Sequence, residues 1–370
     1  MRDENRMSSN RIIFANQLRG IGALSVLVSH YIGIFWLAHP EISKLMGVPE
    51  LLTFPSLPDA LKLLSEYCIV FGQFGVGVFF IVSGLVIPIS LKNVSWQDFI
   101  LRRAIRIYPV YIVGFCIVIL SIYLLSRYAG SDFKYTPGEI FAHFGVITRG
   151  PLGVDRIDGI SWTLEVEIYF YLIMLATAKL LLRNGIKETI AASLLVSFIA
   201  FLVMHNNKYL LGVQIGSGLM LLLGVAFYKF INNKISKKEF ILLQAILCAL
   251  IPITWFCGTG ITKYTQHWVY GYLLAIFTFN ACFYLKDKIK DNAFLSHLAD
   301  ISYPIYVVHA LFGYSIMYVA LDNGLGVYSS ICAAVISAYV ASLALHIFVE
   351  KPTMLWIKQS HAKRSAVQNS

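Results

Sequence analysis

Charge is scarce in this chain. Only 14% of its 370 residues are Asp, Glu, Lys or Arg, whereas 58% are hydrophobic and the mean hydropathy is +0.69. That balance excludes an ordinary soluble domain. Cysteine is also sparse: Cys68, Cys116, Cys248, Cys257, Cys282 and Cys332 stand singly, nearly all inside apolar runs, with no CxxC and no His/Cys cluster at zinc-ligand spacing. Buried thiols acting as small hydrophobes account for them, and no metal site is expected. Internal repeats are missing as well, which argues against a transporter built from inverted repeats. No soluble catalytic segment is appended, so any chemistry belongs to the apolar runs and their loops.

Those runs are what the chain has in abundance. Stretches of about 20 apolar residues, the length that crosses a hydrocarbon core, lie near 12–38, 67–91, 107–126, 161–182, 189–205, 210–230, 240–257, 268–285, 300–321 and 328–349. The predicted fold is therefore all-α, a polytopic integral membrane protein of about ten transmembrane helices. With the N-terminus inside, 21 of the 30 Lys and Arg fall in cytoplasmic segments and 8 in outer ones, which predicts that both termini are cytoplasmic. The net charge of +10 thus reads as topology rather than as a nucleic-acid surface. The first run is too long for a signal peptide and lacks a small-residue cleavage site, so it reads as a retained span. The expected partition is a tail at 1–11, one membrane domain at 12–350 and a tail at 351–370, ending in a disordered HAKRSAVQNS. In the outer segment 127–160, KYTPGE and TRGPLGVDRIDG predict structured turns rather than a further helix.

A few polar side chains inside the runs need a reason. Arg19 and His30 are eleven residues apart, close to three helical turns, so they share one face with about 16 Å between them along the axis. A charged residue at mid-span costs about 2.5–3.5 kcal/mol on insertion scales and usually faces a bundle interior or a wet cavity. Snorkelling of Arg19 at the inner surface is the plainer alternative. Gly72, Gly75, Gly77 and Gly84 crowd the second run, where close helix packing explains them better than a ligand does. Arg102, Arg103 and Arg106 stand at the membrane surface, either as topology signals or as a guanidinium cluster shaped for phosphates. Thr163, Glu167 and Tyr171 stack at four-residue intervals, which makes Glu167 the candidate functional carboxylate and leaves Glu165 to interfacial water. Ser302, Tyr306 and His309 form another polar stripe, while His346 and Glu350 read as structural, with Pro352 limiting further helix.

Taken in order, these pieces resemble the acyltransferase-3 family of bacterial membrane O-acyltransferases over essentially the whole chain. The resemblance is carried by Arg19 and His30, by the FFxxSG stretch (Phe79, Phe80, Ser83, Gly84), and by Arg102, Arg103 and Arg106 before Tyr108 and Pro109. It continues through Ser161, Trp162, Thr163, Leu164, Glu167, Phe170 and Tyr171, and ends in the segment of Tyr306 and His309 with a terminal Glu-x-Pro. Asn16 and Val78 stand where many members carry an acidic residue.

The resemblance implies an enzyme that transfers acyl groups other than aminoacyl (EC 2.3.1-type), in the bacterial inner membrane. No cofactor would be permanently bound. Acetyl-CoA or another acyl-CoA would enter as co-substrate from the cytoplasm, and the acceptor would be a hydroxyl of a cell-surface glycan or lipid-linked saccharide. It assigns catalysis to His30, Arg19 and Glu167, and donor binding to Arg102, Arg103 and Arg106, with Ser83 a candidate beside them. Trp162, Tyr171, Tyr306 and His309 are expected to support the substrate or the structure. The rival class on residues alone is a glycan or lipid flippase that uses the same intramembrane polar groups.

Overall fold

The computed structural model describes residues 2–92, 94–357 and 359, with side chains from Ile13 onward. Among the described residues every regular element is helical. The long helices are α1 (Arg2–Val28), α2 (Cys68–Ser90), α3 (Trp96–Tyr128), α4 (Trp162–Leu181), α5 (Lys187–His205), α6 (Tyr209–Ile231), α7 (Lys237–Thr259), α8 (Lys263–Tyr284), α9 (Ser302–Asp322) and α10 (Val327–Leu345). Eight stretches among the described residues are long and apolar enough to cross a membrane, with the first running Ile13–Leu37 and the last Val327–Ile357. The other two expected runs are helical, as α4 and α8, but are not among these eight. They are more polar, one carrying Glu165, Glu167 and Lys179 and the other Lys263, Gln266 and His267.

Helix starts follow local chemistry. Ser95 Oγ accepts from the Asp98 amide at the head of α3, and Ser236 with Glu239 forms a capping box at α7. Phe277 and Phe348 are 73% and 76% exposed, an apolar exterior suited to lipid rather than water.

The chain divides into two compact units. The first comprises Met1–Ser29, Tyr67–Val94 and Trp162–Ala299. Its hub is α2, which packs on α1, α6 and α8. The glycines of the second run make this possible: a Cβ on Gly84 would lie 2.0 Å from the Leu221 carbonyl oxygen, and one on Gly224 2.2 Å from that of Ile81. They serve backbone approach.

The second unit comprises His30–Glu66, Ser95–Ser161 and Asp300–Ser370. Here α9 packs on α3 and α10, with Tyr303 Oη donating to the Ile107 carbonyl at 2.8 Å.

Two local expectations change in this unit. KYTPGE opens a two-turn helix, Pro137–Phe144, because Thr136 and Glu139 form a capping box with Pro137 in the first turn. Pro352 does not end the last span, which continues to Ile357. A π-helical turn at His346–Glu350 precedes it, and this wider turn accommodates the ring that would clash in a regular α-helix. Residues 361–370, expected to be disordered, lie outside the described residues.

Candidate active site

In the second unit the first span changes geometry. Ser29–Ile34 is a π-helical turn, a form found mostly at functional positions, so the α-helical register that aligns Arg19 with His30 ends just before the histidine. His30 is half-buried, and its Nδ1 lies 2.5 Å from Tyr314 Oη. Its ring meets that of His309 edge-on, with centroids 4.6 Å apart and planes at 83°. Tyr31 Oη donates to the His309 carbonyl at 2.6 Å, tying the π-turn to α9. Gly313 leaves room for that tyrosine, since a Cβ there would lie 2.1 Å from the hydroxyl oxygen. His309 itself is fully buried, with Nδ1 directed to the carbonyls of Tyr306 and Ile305 at 2.9 and 3.1 Å. Tyr306 Oη donates to the Ile160 carbonyl and so anchors the outer segment to α9.

Arg102, Arg103 and Arg106 occupy the first turns of α3, all half-buried, with the Arg103 guanidinium 5.6 Å from the Phe99 ring centre. Ile105 and Pro109 beside them line an open groove of about 430 Å³, completed by Pro352, Thr353 and Trp356. That lining is apolar and suits hydrocarbon, whereas guanidinium groups suit phosphate. His346 Nδ1 and Glu350 Oε2 lie 2.7 Å apart and pair with each other inside the second π-turn.

The first unit holds the carboxylates. Glu167 Oε1 accepts from Ser83 Oγ at 2.5 Å and from Tyr171 Oη. Two hydroxyl donors on one oxygen satisfy a carboxylate that hydrocarbon would penalise. Contrary to expectation, Glu165 does not face water. It is 5% exposed, and its Oε2 accepts from Gln214 Nε2 at 2.7 Å. Trp162 packs edge-on against Phe80 with ring centres 6.2 Å apart. Arg19 is half-buried on α1, two residues after Gln17, whose Nε2 donates to the Lys290 carbonyl at 2.7 Å. No group of three or more His, Cys, Asp or Glu that could hold a metal occurs among the described residues.

Against known proteins, the model of the family described as an acyltransferase domain, acyltransferase-3, matches residues 12–347. The chain belongs to the acyltransferase-3 family. No curated protein and no solved structure matches it. The protein is a multi-pass membrane acyltransferase.

For this acyltransferase, the structure gathers the sequence-derived candidates into two groups, each within one unit. Ser83, Glu167 and Tyr171 meet in the first, and His30 and His309 in the second. Tyr314, Tyr31 and Gln214 escaped the sequence reading. Tyr314 falls five residues after His309 and so off the polar stripe of α9. Gln214 had a signal: it is the one amide in the run YLLGVQIG.

Proposed function

We propose that this acyltransferase moves an acyl group, acetyl in the simplest case, from acyl-CoA to a hydroxyl of a cell-surface glycan or lipid-linked saccharide in the bacterial inner membrane. The observation that carries the reading is the His30 imidazole, half-buried in a π-turn and held at Nδ1 by Tyr314 Oη at 2.5 Å. A ring gripped at one nitrogen presents the other at a defined angle, which is what a general base requires.

On this reading His30 takes the proton of the acceptor hydroxyl as its oxygen attacks the thioester carbonyl. The C–S bond then breaks and the CoA thiolate recovers the proton. Nδ1 must donate its hydrogen to Tyr314 Oη for Nε2 to carry the basic lone pair. Arg102, Arg103 and Arg106 bind the CoA phosphates from the cytoplasmic side, in line with the orientation expected from the excess of Lys and Arg in the inner segments. Ser83 and Tyr171 hold Glu167 in one rotamer, and Glu167 then serves the acceptor hydroxyls. Arg19 is the remaining group assigned to catalysis. Positioned proton transfer supplies about 10²–10⁴-fold, the remainder coming from orientation and oxyanion stabilisation.

The test supplies radiolabelled acetyl-CoA to membranes bearing the wild-type, His30→Ala or Arg106→Ala protein and counts label in the glycan fraction. His30→Ala should lose about 10²-fold or more in turnover, and Arg106→Ala should raise the KM for acetyl-CoA. Wild-type turnover in the His30 variant would remove the base assignment, and transport of a saccharide without release of CoA thiol would remove the donor.

A further inference from the structure

The open groove of about 430 Å³ is built from the head of one long helix and the tail of another: Ile105 and Pro109 come early in α3, and Pro352, Thr353 and Trp356 come late in the last span. It therefore lies toward one membrane surface. At 33 and 31 residues the two helices measure roughly 50 and 47 Å, against about 30 Å of hydrocarbon, so their ends reach into the headgroup layer. Trp356, 56% exposed, is an amphipathic ring of the kind that favours that depth.

The same turns of α3 supply charge. Arg102 stands three residues before Ile105 and seven before Pro109, on the helical face that lines the groove. Arg103 is turned about 100° round the helix, with its guanidinium 5.6 Å from the centre of the Phe99 ring. In sequence, 95–106 and 351–370 hold three and four Lys or Arg against one acidic residue, Asp98. Asp98 Oδ2 accepts from Ser95 Oγ at 2.9 Å at the helix start, and Glu350 just before the second segment is paired with His346. An apolar trough beside a guanidinium complements a ligand that carries phosphate next to hydrocarbon. Coenzyme A is not such a ligand, because its phosphates are followed by a polar pantetheine arm.

We propose that this groove docks one anionic phospholipid, with an acyl chain against Ile105, Pro109, Pro352 and Trp356 and the phosphate on Arg102. The lipid bridges the head of α3 to the tail of the last span. Arg102 is also assigned to the donor, so lipid phosphate and donor phosphate compete for it, while Arg103 and Arg106 stay with the donor alone. The proposal goes beyond acyl transfer, and lipid binding is read without turnover.

The full chain, purified in detergent without CoA, is titrated with phosphatidylglycerol or with phosphatidylcholine, and bound lipid is counted by native mass spectrometry. Wild-type protein should hold one phosphatidylglycerol with a preference of about five-fold or more, the scale of one basic side chain at a lipid surface. Arg102→Gln should lose that preference, and Trp356→Ala should hold less of both lipids. Equal retention of the two lipids by the wild type, or an unchanged preference in Arg102→Gln, would overturn the site. A second measurement needs no variant: phosphatidylglycerol with a diazirine in its acyl chain should, on illumination, label the wild-type peptides that bear Ile105 and Trp356. Label confined to other helices would overturn the placement. Label on those peptides from a long-chain acyl-CoA probe, with none from the lipid probe, would give the groove to the donor's chain and overturn the lipid.

Discussion

Tyr314 Oη lies 2.5 Å from Nδ1 of His30, while the Tyr314 ring leans on Phe35 with centroids 5.5 Å apart. The phenol is thus held from one side by packing and grips the imidazole from the other. Tyr314→Phe keeps the packing and deletes the grip. Turnover of acyl-CoA should fall by about ten-fold, the scale of one lost hydrogen bond to a reacting group, with KM little changed. Steady-state transfer in membranes measures both parameters, and an unchanged turnover would mean that the tyrosine does not orient the base.

Gly313 protects the same arrangement from behind. A Cβ there would come within 2.1 Å of Tyr31 Oη and 2.5 Å of its Cζ, far inside van der Waals contact. Gly313→Ala should push Tyr31 off the His309 carbonyl, destabilising the protein by about 1–3 kcal/mol, as overpacking does, and reducing transfer. The readouts are thermal unfolding in detergent and activity at a temperature where the variant is folded. Wild-type values of both would show that Tyr31 moves without consequence.

How much of this was legible in the sequence depends on the physics involved. Apolar runs of bilayer length announce helices directly, and a polar residue inside one is conspicuous, so His30, Glu167 and His309 stood out. The partners of those residues were a different matter. Tyr314 reaches His30 across 284 residues, and no periodicity within α9 encodes a contact with another helix. Glu165 was misread because its depth was judged from sequence position, whereas its environment is set by Gln214 on α6. The helix at Pro137–Phe144 could have been read, since Thr, Pro and Glu at its first positions form a start signal. Pro and Gly in KYTPGE were given more weight than the capping pattern that contains them.

The carboxylate of the first unit makes its own prediction. Glu167→Gln preserves shape and one acceptor oxygen for Ser83 and Tyr171, but it removes the charge they are arranged around. If the carboxylate serves the acceptor, the variant should accumulate normally and lose at least about ten-fold in turnover, since hydrogen bonds to a charged group exceed those to a neutral one. Ser83→Ala should cost less, because Tyr171 still donates to the same oxygen. Equal, near-wild-type activity in the two variants would assign the cluster to structure alone.

Glycine spacing in α2 predicts a contrast rather than a single effect. Gly84→Ala would drive a methyl group to 2.0 Å from the Leu221 carbonyl oxygen, a backbone atom that cannot rotate away, whereas Gly138→Ala meets nothing within 4 Å. The first should separate α2 from α6 and lower the yield of monodisperse protein sharply. The second should leave yield and melting temperature unchanged, since surface substitutions of this kind stay within about 0.5 kcal/mol. Size-exclusion profiles of the two variants side by side decide it, and equal profiles would mean that the crossing tolerates expansion.

His39 gives the fold a pH dependence outside the membrane-spanning segments. It begins the helix His39–Met46, is 3% exposed, and stacks on Phe54 with ring centres 3.9 Å apart. Burial lowers its pKa, against a weaker upward pull from Glu50. In the unfolded chain a histidine binds its proton near pH 6.5. As pH falls through that value the unfolded state therefore takes up a proton that the folded state refuses, and stability declines until the lowered folded pKa is reached. Above about pH 7 both states are neutral and the effect vanishes. The melting temperature in detergent should thus drop between pH 7.5 and 5.5 by more in the wild type than in His39→Phe, which keeps the aromatic stack without a titrating group. Parallel pH profiles for the two proteins would show that the imidazole ionises freely within the fold.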